Sequence, residues 1–172
     1  MSKAVMLSVR PEWCEKIARG EKTVEVRKNR PKLETPFKCY IYETQGWVEK
    51  DDIMAFRPGG RVIGEFTCDR IFPINVFDNG SIQNWIFEHM ERSCLTYEEL
   101  AGYIGNGRTG YGWHISDLKI YDKPRELREF KKNNRDCFYA DLGLAKRDCP
   151  DCKNSGCFLE RPPQSWCYVE EG

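Results

Sequence analysis

The chain has 172 residues, long enough for one domain, or one domain with an appendage, to bury a sizeable core. Its 27 Lys and Arg balance 27 Asp and Glu, yet residues 1–32 hold nine cations and four glutamates, so that segment is +5 and the remainder −5; a local basic face suits a phosphate-bearing partner, or is simply a solvated surface. No run of about 18 apolar residues could span a membrane, Ala4 to Leu7 is too short for a signal peptide's apolar region, and the nine cysteines therefore read as reduced thiols or metal ligands in a cytoplasmic protein.

Val5, Leu7 and Val9 alternate with Met6, Ser8 and Arg10, the period-two pattern of a half-buried strand. Pro11 stands where helices accept proline and Gly20 stands just past where one would end, which predicts a helix between them. Trp13, Cys14, Ile17 and Ala18 form its inner stripe, and Lys16 and Arg19 oppose the helix dipole in its last turn. From Lys22 to Lys28 the valines at 24 and 26 share one strand face, and Thr23, Glu25 and Arg27 share the other. Phe37 to Thr44 is a third strand, with Cys39 and Ile41 on one face and Tyr40 and Tyr42 on the other. Trp47 is expected at a loop tip, as a lid on the core edge in preference to a stacking platform for a base. Arg57-Pro-Gly-Gly-Arg61 is turn sequence leading into a strand from Val62 to Asp69, where Gly64 marks a close backbone approach or a bend.

Ile82 to Arg92 is predicted helical through Trp85, Ile86 and Met90, and Thr96-Tyr-Glu-Glu99 is a capping box that opens a second helix through Ile104. Gly105 to Gly110 spells GxGxxG, but it follows a helix and precedes a strand, the reverse of a dinucleotide site, and Tyr111 excludes a Walker loop. In the strand from Gly112 to Tyr121, Trp113 and Ile115 fall on one parity and Leu118 and Ile120 on the other, which predicts a bulge near Ser116 or Asp117. Pro124 is read as the start of a short helical piece, and Ser165 to Glu170 as a last strand that returns to pair with early ones. About six strands and two to three helices without a βαβ rhythm argue for an α+β fold, a small mixed β-barrel.

Arg10 to Lys28, RPEWCEKIARGEKTVEVRK, resembles the opening of the ASCH domain, a PUA-like family whose strand-helix-strand unit ends in Gly-x-Lys-x-x-Glu-x-Arg, here Gly20, Lys22, Glu25 and Arg27. The resemblance implies a PUA-like barrel over residues 1–130, closed by a strand in 161–172, with a cysteine-containing insertion at 131–160 that it does not cover. It also implies a basic cleft that takes RNA, other single-stranded nucleic acid or a nucleotide. Arg10, Lys22, Glu25 and Arg27 are the candidate ligand-binding set, because guanidinium forks match phosphate oxygens and a carboxylate accepts from exocyclic amino groups. The structural alternative is that Glu25 and Arg27 pair with each other and close the barrel end. Trp47 and His114 are further ligand-binding candidates, while His89 reads as a packed or surface residue. Some ASCH-type proteins are amidohydrolases that release acyl groups from the exocyclic nitrogen of cytidine through Lys-x-x-Thr. Lys22 matches that pattern but Glu25 holds the threonine position, so Lys22 and Glu25 are catalytic candidates only under this second reading.

Cys149-Pro-Asp-Cys152 has the spacing to grip a metal ion, Cys157 can close a third vertex, and Cys167 or alternatively Cys137 a fourth. Residues 131–160 have few aliphatics with which to offset their ordering entropy, so a structural zinc ion is expected there, with ordinary free thiols as the competing reading.

Overall fold

The computed structural model describes residues 2–50, 53–82, 87–132 and 158–172. It opens with the strand-helix-strand unit: β1 (Lys3–Val9), α1 (Pro11–Ala18) and β2 (Val24–Arg27). Pro11 occupies the first helical turn, and Gly20 adopts φ +73°, which an L side chain resists. That conformation lets the Gly20 amide donate to the Ile17 carbonyl at 2.9 Å and the Glu21 amide to the Lys16 carbonyl at 3.0 Å, the paired bonds of a Schellman stop. β1 is not half-buried as its alternation suggests. Ala4, Val5, Met6 and Leu7 are all fully buried, because Leu127, Phe130, Leu159 and Val169 cover the second face.

The chain continues through β3 (Phe37–Glu43), β4 (Gly46–Lys50), β5 (Ile53–Arg57), β6 (Arg61–Cys68), β7 (Ile71–Val76), α2 (Phe87–Ser93), α3 (Tyr97–Ile104), β8 (Arg108–His114), β9 (Ser116–Arg125) and β10 (Trp166–Glu170). The described residues thus hold ten strands where about six were expected, and their pairing gives three sheets, not a closed barrel. A five-stranded sheet runs β10-β1-β3-β6-β9, a three-stranded sheet runs β2-β8-β7, and β4 pairs with β5 alone. β1 is parallel to β3 and antiparallel to β10, so the last strand does return to the first. The chain crosses between the larger sheets four times: through α1 from β1 to β2, back from β2 to β3, at Asp69 and Arg70 between β6 and β7, and at Ile115 between β8 and β9. These crossings bring the polar face of β2 to the end of β1.

Three apolar clusters hold this arrangement. Val5, Leu7 and Val9 pack with Ile17, Phe66 and Trp113 between α1 and the five-stranded sheet, while Ala4, Met6, Tyr40 and Phe130 fill its other face. Val24 and Val26 pack with Ile74, Leu100 and Ile104 beneath α3. The Thr96 capping box forms in both directions, Glu99 N–H to Thr96 Oγ1 at 3.2 Å and Thr96 N–H to Glu99 Oε2 at 2.8 Å. Residues 83–86, including Trp85 and Ile86, lie outside the described residues. The GxGxxG stretch joins α3 to β8, as its flanks require.

The parity break in β9 is a bulge: Glu65 faces Lys119 and Thr67 faces Ser116, so one residue of β6 opposes two of β9, and Asp117 takes φ +48°. Pro124 does not begin a helix. β9 runs through it to Arg125, and a single 3-10 turn follows at Leu127–Glu129; β9 is a sheet edge, where a missing N–H breaks no ladder bond. No helix among the described residues is long and apolar enough to cross a membrane. Gly64 meets the close approach expected of it, since a Cβ there would lie 2.5 Å from the Lys119 carbonyl oxygen. Gly64→Ala should therefore push β9 off β6 and lower stability by about 1–3 kcal/mol, read as a lower urea midpoint.

Candidate functional site

β2 is buried on both faces, and its second face carries Glu25 and Arg27. Lys22 is 2 % exposed, Glu25 7 % and Arg27 6 %, too little contact with solvent for any of them to go unpaired. They pair with one another. Lys22 Nζ lies 3.4 Å from Glu25 Oε2, and Arg27 Nη2 lies 2.9 Å from Glu25 Oε1, so the carboxylate sits between two cations.

Each cation is also tied to a carbonyl from elsewhere in the chain. Lys22 Nζ donates to the Ser93 carbonyl at 2.6 Å, at the last residue of α2, where helix carbonyls lack intrahelical partners. Arg27 Nη2 donates to the Ser8 carbonyl at 2.8 Å, and Nη1 donates to Ser165 O and Oγ at 3.2 and 3.3 Å. Four of the five guanidinium N–H groups are thereby used. The fifth, on Nε, is buried and has no partner among the described residues.

These three residues line a cavity of about 430 Å³ that opens where β1 ends. Ser8 and Arg10 come from the end of β1, Trp13 from α1, Thr44 from the end of β3, and Leu95, Glu99 and Tyr103 from α3 and the loop before it. Gln164 and Ser165, just before β10, complete the wall. Arg10 is exposed at the rim and pairs with Glu12 at 3.3 Å, an arrangement that contributes little to stability. Trp13 is surrounded by cations, with Lys22 Nζ 5.1 Å, Lys16 Nζ 5.2 Å and the Arg10 guanidinium carbon 5.9 Å from its ring centre. Trp13 and Tyr103 thus give a charged cavity two aromatic walls.

Arg10, Lys22, Glu25 and Arg27 are brought together as the spacing suggested, and Glu25 and Arg27 also pair with each other, so the two readings of that pair are compatible. Trp47 and His114 are not part of this cavity. Trp47 is 61 % exposed on the β4–β5 hairpin, edge-on to Phe56, and is no lid on the core. That hairpin is anchored at its base, where Gly46 approaches Pro11 and Arg57 pairs with Glu15. His114 sits at the sheet crossing with its Nδ1 2.6 Å from Asp69 Oδ1. Burial of Asp69 works against ionisation, but the hydrogen bond and charge of His114 outweigh it and hold the carboxyl below its ordinary value. His89 is packed, stacked on Phe72 at 4.1 Å.

Of the metal candidates, Cys137, Cys149, Cys152 and Cys157 lie outside the described residues. Cys167 lies on β10 against the second core cluster, its thiol pushed up to about 11 by burial against a pull from Lys132. Among the described residues no group of three or more His, Cys, Asp or Glu could hold a metal ion. Trp13, Tyr103 and Ser165 were not read from the sequence as site residues. The signal for Trp13 was present, in a tryptophan with cations three residues before and after it at Arg10 and Lys16.

The family model of the ASCH domain matches residues 7–106, which include α1, β2 and most of the cavity wall. The chain belongs to the ASCH domain family. Among solved structures it is similar to the crystal structure of ASCH from Zymomonas mobilis, with a TM-score of 0.60 at 19% identity, covering 98% of this chain and 88% of that one. A mutant form of the same Zymomonas mobilis protein gives the same TM-score and identity, covering 99% and 92%. The search of curated proteins gives no significant match. At that identity the likeness establishes a shared mixed α+β, ASCH-like fold, and the chemistry of the cavity rests on this chain's own residues.

Removing the central carboxylate leaves two buried cations facing each other. Glu25→Ala is expected to cost about 3–5 kcal/mol, toward the lower end because the cavity admits water. Arg10→Ala at the exposed rim should change stability by less than about 0.5 kcal/mol. Urea unfolding of the two variants beside the parent chain checks both.

Proposed function

We propose that this ASCH domain binds single-stranded RNA or a nucleotide, with a base entering the cavity and the phosphate directed to its basic rim. What carries the reading is the buried Lys22–Glu25–Arg27 group on the wall of a cavity large enough for a small ligand and flanked by Trp13 and Tyr103. Such a wall offers hydrogen bonds to a base edge, aromatic surface to its faces, and in Arg10 a solvent-exposed cation for a phosphate. Lys28 and Arg30 continue the positive charge beyond β2, over the rings of Tyr103 and Tyr111.

A second reading, hydrolysis of N4-acylated cytidine, is favoured by one observation: Lys22 and Glu25, the pair it requires, adjoin each other on the cavity wall. A carboxylate at position 25 can act as general base toward water. It lacks the threonine nucleophile, and Thr23 is not among the lining residues. Chromatography of N4-acetylcytidine after incubation separates the two readings. Release of cytidine that vanishes in Lys22→Ala would put hydrolysis first.

Binding to a short single-stranded RNA should weaken steeply with added salt, and Arg10→Ala should reduce the log–log salt slope by about one while leaving the fold intact. Filter binding at several salt concentrations reads both, and no binding at the lowest salt would overturn the proposal. A reducing, cytoplasmic setting is supported by the five free thiols among the described residues. The spacing of Cys149, Cys152 and Cys157, with Cys167 or Cys137, supports a structural zinc ion. Metal analysis of untagged protein should then find close to one zinc per chain.

A further inference from the structure

We propose, building on the nucleotide-binding reading above, that the base taken into the cavity is one with an imide edge, carbonyl then N–H then carbonyl, as in uracil. The argument starts from the order of charges along the wall. Glu25 does not flank the cations but lies between them, with Lys22 on its Oε2 and Arg27 on its Oε1. Read across, the wall is donor, acceptor, donor.

Each of the three retains capacity for a ligand. An ammonium has three hydrogens, and Lys22 commits two, to Ser93 O and Glu25. A carboxylate offers about four lone-pair positions, of which Lys22 and Arg27 take two. Arg27 keeps the Nε hydrogen, buried without a partner in a side chain that lines the cavity. A buried donor left unmade is costly; Nε has almost no accessible surface, so the ligand's carbonyl meets it by a turn of the guanidinium toward the cavity, which recovers that cost.

The edge complementary to donor–acceptor–donor is acceptor–donor–acceptor. Uracil presents it through O4, N3–H and O2, which would meet Lys22, Glu25 and Arg27 in one order or the other. Cytosine presents an amino donor, the N3 acceptor and O2, so in this register its N3 lone pair would face the Glu25 carboxylate and its amino group a cation. Along any one edge, adenine or guanine can place an amino or N1–H donor on Glu25 and an acceptor on one cation, but leaves the other cation unmet; adenine's N1 and N7 flank its amino group on two diverging edges. The sequence alone suggested an exocyclic amino group on Glu25; a carboxylate flanked on both sides by cations favours the ring N–H of an imide instead. Discrimination of this kind is strong when the site's own polar groups are buried, because the wrong ligand leaves them unpaired.

The test changes the ligand, so it does not depend on any variant folding. Calorimetric titration of the full chain at low salt compares uridine, cytidine, adenosine and guanosine 5′-monophosphates with N3-methyluridine and 5-methyluridine 5′-monophosphates. The uridine nucleotide should bind at least about tenfold more tightly than the other three. Methylation at N3, which removes the imide hydrogen, should cost at least about tenfold, while methylation at C5, away from that edge, should leave affinity within about threefold. Cytidine binding as tightly as uridine, N3-methyluridine retaining its affinity, or both methyl groups costing the same would overturn the imide assignment and leave nucleotide binding standing. No binding by any of the six would overturn the nucleotide-binding reading itself.

Discussion

A strand that places Glu25 and Arg27 on one face and Val24 and Val26 on the other can be buried on both sides only if every charge meets a counter-charge or a carbonyl, and β2 is so buried. The partners are drawn from four separate parts of the chain: Lys22 after α1, Ser93 at the end of α2, Ser8 in β1 and Ser165 before β10. Buried ion pairs gain little net stability, because attraction is set against the loss of hydration. What they do here is fix geometry. Arg27 can satisfy its hydrogen bonds only when the three-stranded sheet sits at one position against the five-stranded sheet, so the apolar clusters supply the driving force and the charged group selects the arrangement.

The same chemistry makes this region a site. A guanidinium has five donors and an ammonium three, more than one carboxylate and three backbone carbonyls absorb, so closing the fold leaves donors over. One, on Lys22, belongs to a side chain of the cavity wall, and the other, Nε of Arg27, is shut in beside it. Two positive side chains around one negative one also leave a net positive charge beside Trp13, an environment that suits an electron-rich, flat, partly anionic molecule.

The order in which elements were legible follows from the range of the forces that make them. Pro11, Gly20, Thr96 and Glu99 act within a few residues, and the helix boundaries they specify are present. The bulge in β9 was visible as a change of parity from Ile115 to Leu118. Burial was harder to read, because alternation cannot reveal that a second layer will cover the far side of Met6. β7 is not legible in the sequence, since Pro73 argues against a strand and only its edge position permits it. The β4–β5 hairpin is equally hidden, because Trp47, Met54 and Phe56 remain exposed and its apolar pattern does not report a core. In the site, Lys22, Glu25 and Arg27 were found because they are close in sequence, whereas Gln164 and Ser165 reach the cavity only through the pairing of β10 with β1. Trp47 and His114 have residue types that suit a cleft, but the β4–β5 hairpin carries the first elsewhere and the sheet crossing after β8 the second.

The wall that β10 delivers has a consequence for when the protein becomes competent. Ser8 Oγ donates to the Pro163 carbonyl at 2.6 Å across a separation of 155 residues, and Arg27 reaches Ser165 across 138. A ribosome releases residues 1–30 long before it has made 163–165, and closing so long a loop is slow compared with forming α1. A growing chain therefore holds Arg27 with its Ser165 partners missing and its cavity open on one side. Binding capacity arrives in one late step, when the last strand docks, and an incomplete or truncated chain carries the ASCH signature without a finished pocket.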